Sequence, residues 1–130
     1  MRRPGDGERG QALVEFALVL PLLCLLLFGI VEFGLMFFKY VDLTSAARDG
    51  ARQVSVVTDG GQAEQVATAA VQDSSSAFDD GQTTVQVTTD GAWQRGATVH
   101  VKVSHPYRLE IMGLSLWNGP MTAESVAKVE

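Results

Sequence analysis

Five side chains in the C-terminal half could in principle supply a base, an orienter and a nucleophile: His100, His105, Asp79, Asp80 and Ser104. Such chemistry needs them on one surface within hydrogen-bond reach. In an extended segment alternate residues share a face, so His100 and Ser104 go together while His105 points the other way. No nucleophile elbow, paired metal-ligand spacing or phosphate-cradling glycine loop accompanies them, and the 13 glycines fall mostly at turns and in an apolar run. Histidines on the exposed face of a valine-rich strand are ordinarily polar partners of solvent. The chain therefore reads as a non-enzyme, with no cofactor and no metal.

A second set of chemically expressive residues is the pair of acids bounding and interrupting an apolar stretch, Glu15 and Glu32. Between Phe16 and Val31 there is no charged residue. From Phe16 to Phe38 the run holds about 23 residues, roughly 34 Å as a helix, which matches the hydrocarbon thickness of a bilayer. About twelve Leu, Ile, Val and Phe side chains there contribute roughly −0.3 to −0.6 kcal/mol each, against about +3 for one acid at the helix centre. Insertion wins. Arg2, Arg3 and Arg9 precede the run and Lys39 follows it, which favours a cytoplasmic N-terminus and an extracytoplasmic remainder.

The chain has 130 residues, 46% hydrophobic, with 10 Lys+Arg against 15 Asp+Glu and a net charge of −5, so one modest domain is the expectation. The acidic balance argues against a nucleic-acid partner, which would demand a basic patch. The apolar content argues against disorder. The single cysteine, Cys24, excludes an intramolecular disulfide.

Three processing readings compete for the N-terminus. A secretory signal would explain the arginines, with Thr44-Ser45-Ala46-Ala47 as small residues for cleavage, but the run is long and contains Glu32. A lipoprotein signal needs a small residue before its cysteine, whereas Cys24 follows Leu22-Leu23. The third reading rests on Gly10-Gln11-Ala12-Leu13-Val14-Glu15-Phe16, a glycine, four residues, then Glu and an aromatic. This resembles the cleavage site of type IV prepilins of the tight-adherence (Flp) class. With Ala17-Leu18-Val19-Leu20-Pro21, then Phe28-Gly29-Ile30-Val31-Glu32-Phe33-Gly34 and Leu43-Thr44-Ser45-Ala46-Ala47-Arg48-Asp49-Gly50-Ala51-Arg52, it resembles the TadE-like pseudopilins in particular, closely over residues 9 to 54.

The resemblance implies cutting by a membrane aspartic peptidase between Gly10 and Gln11, releasing a short basic leader, residues 1–10. It also implies that Glu15 neutralises the new N-terminal ammonium of a neighbouring subunit, next to Phe16. A carboxylate near hydrocarbon is costly when unpaired, so a partner cation would stabilise lateral assembly. The alternative for Glu15 is that it snorkels at the interface as a membrane boundary residue. Glu32 marks the interface or contacts a partner helix, and Pro21 bends the helix or removes one hydrogen bond. The implied partners are the membrane, other pilins or pseudopilins, the prepilin peptidase and the pilus assembly platform.

Beyond the span, Leu43, Ala46, Ala47, Gly50, Ala51, Val54 and Val57 recur at helical spacing, extending the helix over residues 11–57. The small pairs Ala46/Gly50 and Ala47/Ala51 would let another backbone approach, from the chain's own sheet or from another subunit. Thr58-Asp59-Gly60-Gly61 ends this helix. In the outer head, 58–130, a second helix is expected over about Gln62 to Phe78, fraying at Ser74-Ser75-Ser76, then a turn at Asp79-Asp80-Gly81. Alternation predicts strands at Thr83–Thr89 and Thr98–Ser104, joined as a hairpin around Trp93, and a last strand at Met121–Val129. Pro106 to Gly119 reads as an irregular excursion. The expected architecture is α+β: a long N-terminal transmembrane α-helix continuing into a small pilin-like head, with a second helix and a three-stranded antiparallel β-sheet. Two functional readings follow, a minor pseudopilin that primes or caps a tight-adherence pilus, and a permanently membrane-anchored extracytoplasmic binding module presenting Trp93 and Trp117.

Overall fold

A computed structural model describes residues 6–75, 78 and 81–130. Arg2 and Arg3 of the leader, Ser76, and Asp79 and Asp80 lie outside the described residues. The apolar run and its extension form one unbroken helix, α1, Asp6–Ser55, 50 residues long with Pro21 inside it. At 1.5 Å per residue that is about 75 Å, more than twice a bilayer's hydrocarbon core. One window of this helix reaches a mean hydropathy of 2.7 with none of it buried inside the chain, so α1 is long and apolar enough to cross a membrane.

The α+β layout is as expected. After a single 3-10 turn at Gly60–Gln62 comes α2, Ala63–Ser74, and then three strands, β1 Thr84–Thr89, β2 Thr98–Ile111 and β3 Leu114–Lys128, in a meander of order β1-β2-β3. Both pairings are antiparallel: Val85 faces Val103 and Val87 faces Val101, while Val99 faces Ala127 and Val103 faces Ala123. The valine alternation does what a period of two dictates, placing Val99, Val101, Val103, Tyr107 and Leu109 on the buried face. That face closes on Leu43, Ala46, Ala47, Ala51 and Val54 of α1 and on Ala63, Ala67 and Val71 of α2.

The second helix ends earlier than its apolar stripe suggests. Ser74 Oγ donates to the Ala70 carbonyl at 2.8 Å, and Ser75 turns extended and donates to Asp42 Oδ2 on α1 at 2.9 Å. Short hydroxyl side chains offer the backbone this alternative to continuing a helix. Phe78 is thereby detached from α2 and buried against the His105 ring, with centroids 4.5 Å apart. The first helix likewise stops at Ser55, two residues short of Val57.

The larger correction concerns Pro106 to Gly119. This stretch is a regular continuation of the β2–β3 hairpin, paired from Thr98 with Lys128 down to Ile111 with Leu114. Pro106 pairs with Pro120. Proline has no N–H to donate, so two facing prolines fit only a pair that exchanges no hydrogen bonds, and here β2 has already run past the end of β1. A shift between Leu109 and Glu110 breaks the alternation of the β3 arm, and Met112 and Gly113 close the turn at φ 51° and 82°. Two positive φ values in a two-residue loop match the right-handed twist of the strands.

The core depends on close approach at position 50, where an added methyl would lie 3.4 Å from both Val101 Cγ1 and Val71 Cγ2. Gly50→Leu should therefore destabilise the detergent-solubilised protein by about 1–3 kcal/mol through overpacking. Gly34, with nothing within 4 Å of the same position, is the control: Gly34→Leu should leave the denaturant midpoint unchanged.

Candidate functional site

Of the residues that could have formed a hydrolytic site, Asp79 and Asp80 lie outside the described residues, and His100, His105 and Ser104 go to different partners. His100 bridges two acids across the exposed face of the sheet, with Nδ1 at 2.8 Å from Glu124 Oε1 and Nε2 at 3.3 Å from Asp90 Oδ2. His105 points the opposite way, buried, with Nδ1 at 3.1 Å from Thr83 Oγ1. Ser104 Oγ pairs with Thr122 Oγ1 at 3.3 Å. The two histidines thus occupy opposite faces of β2, and Ser104 is engaged by a threonine.

The processing motif sits in a different environment. Gly10, Gln11, Glu15 and Phe16 all lie on the exposed N-terminal part of α1, about 40–50 Å along the helix from the head's first buried residue, Leu43. Gln11 Nε2 donates to Glu15 Oε1 at 3.2 Å across one helical turn. The first residue of the mature chain that the motif implies and the acid five positions in therefore already share a face. The Gly10–Gln11 bond lies in the second turn of the described helix, where ends fray and a glycine lowers the cost of unwinding.

Between this end and the head, α1 presents one partly covered stripe: Gly29, Glu32, Met36 and Lys39, leading into buried Leu43, Ala46, Ala47 and Gly50. The spacing of three and four is that of a helix face. The β2–β3 hairpin is what covers it. A methyl at position 29 would lie 3.9 Å from Ile111 Cδ1 at the hairpin's end. Lys39 Nζ sits 5.3 Å from the centroid of the Tyr107 ring, a cation–π contact. The Tyr107 phenol is held above its ordinary range by burial first and by the nearby charge of Glu32 second. Glu32 thus faces the chain's own hairpin, and Ala46, Ala47, Gly50 and Ala51 make their close contacts inside the head, with α2 and β2.

Trp93 does not stand out as a loop reader. Its Nε1 donates to the Val57 carbonyl at 3.0 Å and its ring covers Gly60, where any side chain would fall 2.8 Å from the indole. Trp117 remains 43% exposed and, with Phe33, Met36, Phe37, Tyr40, Leu109 and Met121, lines an apolar groove of about 570 Å³ between α1 and the hairpin. Sequence reading missed this groove. Its only signal was the density of apolar residues between Tyr107 and Trp117, which had no regular period.

The fold and these features define a class: a small α+β head carried on the C-terminal part of a helix whose N-terminal part is apolar, exposed and able to span a membrane. Residues 10–52 of that helix match the family described as TadE-like proteins. No curated protein and no solved structure matches the chain.

The His100 bridge is directly testable. Hydrogen bonds to Glu124 and then Asp90 favour the imidazolium, so the His100 pKa lies above 6.5 in the folded head. A group whose pKa rises on folding stabilises fully below its unfolded value, and that contribution is lost as pH climbs through the raised folded value. NMR titration should show His100 above 6.5 and Glu124→Gln returning it toward that value.

Proposed function

We propose that this protein is a minor pilin or pseudopilin, a structural subunit that primes or tips a tight-adherence type IV pilus and is matured by a prepilin peptidase. The observation that carries the reading is the Gly10-to-Phe16 motif at the exposed start of a membrane-capable helix, within the segment that matches TadE-like proteins. No catalytic step is assigned to the head. Among the described residues, His105 packs in the head and His100 pairs with Asp90 and Glu124 on its surface, and the part of α1 before Gly29 is left for lipid or for neighbouring subunits.

Cleavage between Gly10 and Gln11 would turn the Gln11 amide nitrogen into an ammonium group, a turn of helix from Glu15. Within one chain, helix geometry keeps the ammonium and carboxylate on one face. Between chains, an axial stagger would bring the Glu15 of one subunit to the N-terminus of the next, and removing both unpaired charges from a lipid environment favours that register. The continuous passage of α1 through Pro21, with one hydrogen bond removed there, suits a subunit drawn from the membrane as one rod.

Mass spectrometry of the membrane-extracted protein should show a chain beginning at Gln11, while an intact Met1 terminus in cells with an active peptidase would sink the reading. Glu15→Ala should be cut normally yet reduce pilus assembly by at least about tenfold, the equivalent of one lost charge pairing of about 1.4 kcal/mol. Normal piliation in that variant would remove the neutralisation role.

A further inference from the structure

The β2–β3 hairpin runs toward the apolar part of α1, and its end is built from residues that water does not favour. Met112, Leu114 and Leu116 are about 60% exposed or more, and Trp117 adds a half-exposed indole. Met112 holds a positive φ that usually goes to Asn, Asp or Gly in such turns, so the site carries an apolar side chain where turn chemistry alone would select a polar one. The end of the hairpin lies against Gly29, one helical turn before Glu32, the acid at which the uncharged run from Phe16 to Val31 ends and the membrane boundary falls. With that run in a bilayer, the hairpin reaches lipid.

We infer that the hairpin end, Met112 with Leu114, Leu116 and Trp117, is a second membrane contact, seated in the headgroup–acyl boundary of the leaflet on the head's side. The inference rests on reading α1 as a membrane span. Depth is limited from both directions. An open sheet edge does not enter hydrocarbon, because its free N–H and C=O groups would go unpaired, and the Arg108–Glu110 ion pair at 3.4 Å lies on the exposed face of the same arm. Raising the hairpin fully into water would instead strand Phe33, Leu35, Phe37 and Phe38, all at least half exposed, together with the apolar groove. The boundary zone satisfies both. It is where tryptophan and tyrosine concentrate and where a lysine stem snorkels, and Trp117, Tyr40, Tyr107 and Lys39 lie together there. The groove between Phe37 and Trp117 takes the upper part of an acyl chain. The head is thereby pinned to the bilayer at two points, the helix and the hairpin, and held at a fixed tilt.

The test uses the full chain in phosphatidylcholine vesicles carrying lipids brominated high on the acyl chain, with Trp93→Phe leaving Trp117 as the reporter. Trp117 emission should fall by about twofold or more, should fall less with bromine near the chain terminus, and should resist aqueous iodide. If Trp93→Phe does not fold, the difference between the wild type and Trp117→Phe reads the same quantity. Leu114→Asp should abolish the bromine quenching while the protein still floats with the vesicles. A chain that does not float overturns both the span and the hairpin contact. A chain that floats with Trp117 open to iodide and unquenched by bromine overturns the hairpin contact alone. So does a Trp117 shielded from both quenchers together with disulfide cross-linking of a Leu114→Cys, Cys24→Ser variant, which would identify a second copy as the occupant.

Discussion

Everything in the head depends on how closely other backbones can approach one stripe of α1. Ala46, Ala47, Gly50 and Ala51 put at most a methyl in the way, so β2 can lay Val99, Val101 and Val103 directly on the helix while α2 packs beside it. A large side chain at any of these positions would lift the sheet and expose the valines that give it its only buried face. With no disulfide available to a chain holding one free cysteine, this interdigitation must hold the head together unaided. The tie from Ser75 to Asp42 and the indole hydrogen bond from Trp93 to Val57 fasten the two ends of the same packing.

The stripe also divides the helix between two tasks. From Leu43 to Ser55 one face of α1 is core, while Ser45, Arg48, Asp49, Arg52 and Gln53 stay exposed on the other. Between Phe16 and Gly29 it is apolar on all sides, the pattern of a segment whose surroundings are lipid or like helices. Glu32, Lys39 and Tyr107 sit at the change, where an apolar helix acquires a protein cover on one side only. Lys39 is accommodated there by the aromatic face of Tyr107, and the charge of Glu32 is felt by the same phenol.

How much of this was legible follows from which residues obeyed a simple period. The apolar run, the valine strands and the small-residue stripe each repeat at the spacing of their element, and each lies where reading predicts. The Gly10-to-Phe16 motif was likewise visible, because its spacing is local. The lower half of the hairpin was not. Pro106 and Pro120 read as breakers until they are seen to face each other, Met112-Gly113 lacks the usual Asn-Gly signal of its turn, and the register shift at Leu109 spoils the alternation from Leu114 to Trp117. The burial of Trp93 was hidden for another reason: its partners, Val57 and Gly60, are remote in sequence and chosen by tertiary packing.

The proline pair carries one more consequence. The N–H positions that Pro106 and Pro120 would otherwise offer point away from each other, toward the two open sides of the hairpin. Each side therefore lacks a donor at the same height. A strand trying to zip onto either side would meet a ring in place of a hydrogen bond. Any strand added along the hairpin would lose its ladder at this level.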